Sequence, residues 1–127
     1  MAKTKWDEKW DDLAKEERRV LDKIERKEKA RWQSQEILEE FDQYGYQLHQ
    51  VNSLAFDRLV GSRYGEMLVQ TLDENISRNY SNQNEMDELI SDLRKEAYAL
   101  EDKLDDISHR RQRLLHEEEK EKRKNGN

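Results

Sequence analysis

The sequence predicts an all-α chain that folds back on itself as a long antiparallel two-helix hairpin, coiled-coil-like, with a glycine turn near residues 61–65. Three observations predict it. Apolar residues recur at spacings of three and four along most of the 127 residues, the period of one helix face. There is no proline and there are only four glycines, so residues that break helices are nearly absent. Two of the glycines, Gly61 and Gly65, stand four residues apart near the midpoint, in Val60-Gly61-Ser62-Arg63-Tyr64-Gly65-Glu66. Glycine reaches positive φ without steric cost, which suits it to ending a helix and turning the chain.

The first helix is expected over about 5–59. Thr4 and Asp7 have the spacing of a capping box that would start it. Its seam runs through Trp6, Trp10, Leu13, Val20, Ile24, Leu38, Phe41, Leu48, Ala55 and Leu59. Between Ile24 and Leu38 the same register passes through Lys27, Arg31 and Ser34, where Trp32 and Ile37 are expected to take over the contact. Gly45 also falls on the seam, and close approach of a partner backbone is favoured there over a kink. The turn is expected over 60–65.

The second helix is expected over about 66–121. Val69, Leu72, Ile76, Met86, Ile90, Leu93, Ala97, Leu100, Leu104, Ile107 and Leu114 share one heptad register. Asn79, Gln83 and Arg111 are its polar members, of the kind that fix register at some cost in stability. Asn82 and Glu85 could start a fresh helix, but the register is the same on both sides, which favours one helix through residues 78–84. Residues 122–127 are expected to fray. Folding back would bring Leu59 near Leu68, Phe41 near Met86, and Ile24 near Leu100 and Leu104. The domain reading is therefore a single hairpin over 1–127, against the alternative of one continuous rod that dimerises.

Composition limits the function. The chain is 43% charged and 33% hydrophobic, too polar for a thick core but sufficient for a narrow seam between helices. Acidic and basic residues are mixed in both halves, 13 basic with 14 acidic in residues 1–63 and 11 with 16 in residues 64–127. Neither half offers the basic surface of a nucleic-acid binder. No run approaches the ~20 apolar residues of a membrane span, and MAKTKWDEKWDD lacks the apolar core of a signal peptide. A cytoplasmic protein is expected, exported, if at all, without a cleaved signal peptide.

No enzymatic chemistry is expected, and no catalytic, cofactor-binding or metal residues are assigned. There is no cysteine. His49, His109 and His116 are not spaced as a helical metal pair. Gly61–Gly65 lacks the Lys-Ser/Thr of a phosphate loop and does not follow a strand. The aromatics carry more information, because a two-helix seam holds only some of them. Tyr44, Tyr46 and Tyr80, with Leu89, would flank the seam as a candidate partner interface. Gly61, Tyr64 and Gly65 form a candidate recognition tip.

A highly charged first helix, a central glycine turn and an acidic second helix with a Lys/Arg-rich tail make the chain similar to the WXG-type superfamily of type VII secretion. Within it, the chain resembles the small helical partner proteins encoded beside LXG toxins in Gram-positive bacteria. The nearest equivalent of the Trp-X-Gly turn is Arg63-Tyr64-Gly65-Glu66; no Trp-X-Gly itself is present. Tyr98 and Asp102 have the spacing of the superfamily's export signal and share a helix face. The resemblance implies a non-catalytic partner that binds the N-terminal helical region of an LXG toxin and helps deliver it for export, with room for a second small helical partner. The alternative is a self-associating coiled-coil scaffold or spacer, and a homodimer of the isolated chain is compatible with either.

Overall fold

A computed structural model describes residues 4–126. Two helices, α1 (Lys5–Leu59) and α2 (Arg63–Asn125), fold as a helical hairpin through residues 60–62. The helix pair divides into two compact units, Met1–Lys29 with Arg94–Asn127, and Ala30–Leu93.

In the first unit α1 begins at a reciprocal capping box. The Asp7 N–H donates to Thr4 Oγ1 at 3.1 Å and the Thr4 N–H donates to Asp7 Oδ2 at 3.2 Å, so two backbone donors at the helix start are satisfied. The pairing is antiparallel: Lys5 meets Glu121 at 3.3 Å, Glu17 meets Arg111, and Lys27 meets Glu96 at 2.7 Å. Leu13, Val20, Leu100, Ile107 and Leu114 form the core, with Trp6, Trp10, Ile24 and Leu104 packed against it. Ile107, 1% exposed, is its most enclosed side chain. Full burial of such a side chain is worth ~1.5–3 kcal/mol.

The second helix extends further than the sequence reading expects. α2 runs to Asn125, past the expected end near 121; Asn127 lies outside the described residues. α1 holds the turns just before this extension. The Trp10 indole N–H donates to Glu118 Oε2 at 3.0 Å, and Lys122 pairs with Glu118 at 3.3 Å. Lys122, Arg123 and Lys124 also face the negative end of the helix dipole.

In the second unit Leu48, Ala55 and Leu72 form the core, flanked by Val69 and Ile76. Ile90 and Leu93 are buried, while Leu38, Phe41 and Met86 are half-buried. The weak part of the seam is handled by polar chemistry. Ser34, 6% exposed, donates its hydroxyl to the Ala30 carbonyl at 2.7 Å, satisfying itself within its own helix. Trp32 and Ile37 do not replace it; both are exposed, because Trp32 is turned away from α2 and Ile37 stands beside the seam, not in it. Residues 78–84 are helical, so α2 is continuous there.

The turn is tighter than 60–65. Gly61 has φ 85°, the left-handed conformation that ends helices. The Ser62 N–H donates to the Leu59 carbonyl at 3.0 Å. The Ser62 hydroxyl accepts the Gly65 N–H at 2.9 Å, which makes Ser62 the N-cap of α2. Tyr64 and Gly65 thus belong to the first turn of α2, not to the loop. Gly65 is buried, and a Cβ there would strike the Leu59 carbonyl and stand 2.6 Å from Leu59 Cβ. Its role is close packing, not positive φ. Leu59, expected in the seam, is 37% exposed, because the seam ends where the chain turns.

Candidate functional site

The seam gives each helix a heptad frame. With a at Phe41's successor seam residue Gly45 and at Val69, positions a and d face the partner helix, while g lies along one flank and e along the other. In the antiparallel pair g of one helix neighbours g of the other, as the Glu16–Arg110 ion pair at 2.6 Å illustrates within the first unit. Asp42 and Asp73 stand at e and accept side-chain hydrogen bonds from Gln83 at 2.5 Å and Asn52 at 3.0 Å.

This frame separates the four candidate interface residues. Tyr44 and Leu89 lie at g, on one flank; Tyr80 lies at e and Tyr46 at b, on the other. All four are exposed, at 49%, 45%, 65% and 67% in that order. The structure therefore does not gather them into one surface. Tyr64, at 81% the most exposed of the large apolar side chains named, projects from the first turn of α2 beside Met67 and Leu68.

Residues not singled out in the sequence complete the picture. Val51 and Leu54 are exposed on the Tyr44 side, and Phe56 and Val60 on the Tyr46 side. For Val51 and Phe56 the signal that could have found them is the heptad position next to the seam, since an apolar residue at e or g widens the face that a helix offers; Leu54 at c and Val60 at b lie one position further out. Phe56, Val60 and Val69 line an open groove of about 660 Å³ at the turn, bordered by Glu66, Asp73 and Glu74. Among the large apolar side chains that the described residues expose, only Leu21, Tyr98 and Leu115 lie outside residues 30–93.

Charge follows the same division. Residues 30–93 hold 12 acidic and four basic side chains and no lysine, a formal charge of −8, whereas the remaining residues hold 18 acidic and 20 basic. Comparing the chain's halves about the turn hides this contrast; folding each helix into two units exposes it.

Tyr98 and Asp102 are both exposed and one turn apart on α2. His49, His109 and His116 are exposed. No group of three His, Asp or Glu side chains able to hold a metal occurs among the described residues, and no described helix is long and apolar enough to cross a membrane. The displaced acidities belong to ion pairs and a cap-like contact. A hydrogen bond from Arg110 lowers the Glu16 carboxyl and raises the Arg110 guanidinium, while the Trp10 indole, followed by Lys122, lowers the Glu118 carboxyl.

The arrangement is that of a coiled-coil-type helical hairpin with its apolar surface concentrated in one unit. No known protein family, curated protein or solved structure matches the chain.

Proposed function

We propose that this protein is a non-catalytic helical partner, a targeting factor or chaperone that binds the N-terminal helical region of an LXG-type toxin and promotes its export by type VII secretion. The observation that carries the binding role is the concentration of exposed Ile37, Tyr44, Phe56, Tyr64 and Leu89, with their neighbours, in residues 30–93. Of these, Ile37, Tyr44 and Leu89 share the g flank, and apolar exposure along one flank rimmed by polar residues is characteristic of surfaces covered by another chain. The choice of partner rests on the resemblance of the charged helices, central glycines and Tyr98/Asp102 spacing to the small partners of LXG toxins. In this reading the protein works in the cytoplasm and accompanies its cargo without a cleaved signal peptide.

The test is calorimetric titration of the protein with the helical N-terminal region of an LXG-type toxin from the same organism, together with toxin export from cells with and without the protein. Binding and a loss of export in its absence are the expected outcomes. A toxin region that neither binds nor depends on the protein for export rejects the proposal.

A further inference from the structure

The two units treat their g flank in opposite ways. In the first unit every g position from Lys9 onward is charged, and Glu16 and Arg110 pair across it. Two apolar positions in seven, a and d, suit a seam between only two helices. In the second unit, g carries no charge from Ala30 to Val51 on α1 or from Leu68 to Leu89 on α2. Ile37, Tyr44, Val51, Leu68 and Leu89 stand there 41–49% exposed. Stepping by heptads from Gly45 and Asn79 sets Ile37 opposite Leu89 across the flank. On α1 this widens the face to three positions in seven, a, d and g, as in a helix packed in a larger bundle; on α2 Asn75 and Asn82 hold the middle g positions between Leu68 and Leu89.

The charge around this stripe selects what covers it. Exposed Glu40, Glu85 and Asp92 border it at c, with Arg78 among them and Arg58 at g next to the turn. A second copy docked here would bring together two units that each carry a formal charge of −8, and like charges brought together disfavour association. A different chain with basic borders gains from both the apolar strip and the acidic rim.

We propose that the g flank of residues 30–93 is the docking surface for amphipathic helices of another chain whose apolar stripe is edged by Lys and Arg, completing a bundle of more than two helices. This rests on the partner-binding reading above and assigns it a surface and a partner chemistry.

The test uses the full-length protein and two synthetic amphipathic peptides, about four heptads long, with the same Leu/Ala stripe and either Lys or Glu borders. The Lys peptide is expected to bind, and to bind more weakly at 1 M than at 0.1 M salt, as screening shortens from ~10 to ~3 Å. Ile37→Glu, Tyr44→Glu and Leu89→Glu each replace an already exposed side chain and should keep wild-type helicity and melting while weakening binding at least tenfold. Leu21→Glu and Leu115→Glu, exposed in the other unit, should bind as wild type. Equal binding of both peptides, or equal loss in the Leu21 and Leu115 variants, overturns the proposal. So does a stable dimer of the free protein that Tyr44→Glu dissolves, which would give the stripe to a second copy. Toxin helices that bind all three flank variants as wild type reject this surface and leave the toxin-partner reading standing. Toxin helices that ignore the unmutated protein while the Lys peptide still binds reject the toxin and leave the surface standing.

Discussion

The amide nitrogen of Asn79 lies 2.7 Å from the place a Cβ would occupy on Gly45. Asn79 is 5% exposed and donates from that nitrogen to the Phe41 carbonyl at 3.0 Å. That carbonyl lies one turn before Gly45, so the amide crosses the glycine to reach it. The sequence reading favours close approach at Gly45, and the approaching group is a side chain, not a backbone. Asn79 Oδ1 remains without a hydrogen-bond partner, so this contact fixes register more than it adds stability.

The pair should therefore behave as coupled. Gly45→Ala gains ~1 kcal/mol of helix propensity but displaces the Asn79 amide, and loss of its hydrogen bond costs ~0.5–1.5 kcal/mol. In an Asn79→Ala background the clash is absent, and Gly45→Ala should stabilise by most of its propensity gain. Urea denaturation of the four proteins of the cycle measures the coupling, expected at about 1 kcal/mol. Additive effects would mean that Asn79 does not cross Gly45.

Core depth predicts a graded series. Ile107→Ala should cost ~2–5 kcal/mol and Ile107→Val ~0.5–1.5 kcal/mol, the usual range for buried aliphatic truncations. Leu59→Ala, at a position 37% exposed, should cost clearly less than Ile107→Ala. Thermal melts of the three variants check the order; equal losses at both sites would contradict the burial pattern.

The two turn glycines should fail for different reasons. At Gly61 a Cβ meets nothing within 4 Å, so Gly61→Ala loses only through its φ of 85°, ~1–2 kcal/mol. Gly61→Asn should recover part of that, since Asn tolerates the left-handed region. Gly65→Asn should recover nothing relative to Gly65→Ala, because the obstacle is the Leu59 backbone. Ser62→Ala should cost ~1 kcal/mol through loss of the cap. Circular-dichroism melts separate these cases, and an Asn rescue at position 65 would refute the packing explanation.

Much of this fold is legible from spacing alone. Buried Leu13, Val20, Leu48, Leu72, Ile90, Leu93, Leu100 and Leu114 lie on registers set by threes and fours, because a helix repeats its faces every seven residues to a close approximation. What spacing does not reveal is contact between residues far apart in the chain. Nor does it reveal close packing across the turn: Gly65 reads as a turn residue until the Leu59 carbonyl is placed beside it. The hold of α1 on the end of α2 comes from Trp10 meeting Glu118, 108 residues away. The candidate surface shows the same limit: Tyr44 and Tyr46 look like neighbours in sequence, yet at g and b they face different flanks.

Acid should weaken the end of the hairpin where Trp10 holds Glu118. The indole hydrogen bond, then Lys122, lowers the Glu118 carboxyl below its ordinary value of 4.5. A carboxyl lowered by folding binds its proton more readily when unfolded. Its contribution is therefore present above about pH 4.5 and is lost as pH falls through the lower folded value. Trp10→Phe removes the donor at every pH. The melting-temperature gap between wild type and Trp10→Phe should thus be wider at pH 7 than at pH 3. Because the packing change is common to both conditions, a gap that stays constant would show that the hydrogen bond does not lower Glu118.

Tyr64 supplies the last prediction. At 81% exposure, in the first turn of α2, its ring adds little to the hairpin's own stability. Surface substitutions away from caps and cores usually stay within ±0.5 kcal/mol, so Tyr64→Ala should leave helicity and melting nearly unchanged. Aromatic residues are enriched among the side chains that dominate binding energy. If the turn end meets the toxin helices, Tyr64→Ala should weaken their binding by at least ~1 kcal/mol, about fivefold. Tyr44→Ala, on the g flank, provides the comparison, since the two rings lie on different parts of residues 30–93. Calorimetric titration of both variants against the toxin's helical N-terminal region decides between them. Weakening by Tyr44→Ala alone would confine recognition to the helix flank and reduce the Tyr64 turn to a chain reversal. Weakening by Tyr64→Ala alone would move recognition to the turn and set aside the docking surface on the g flank.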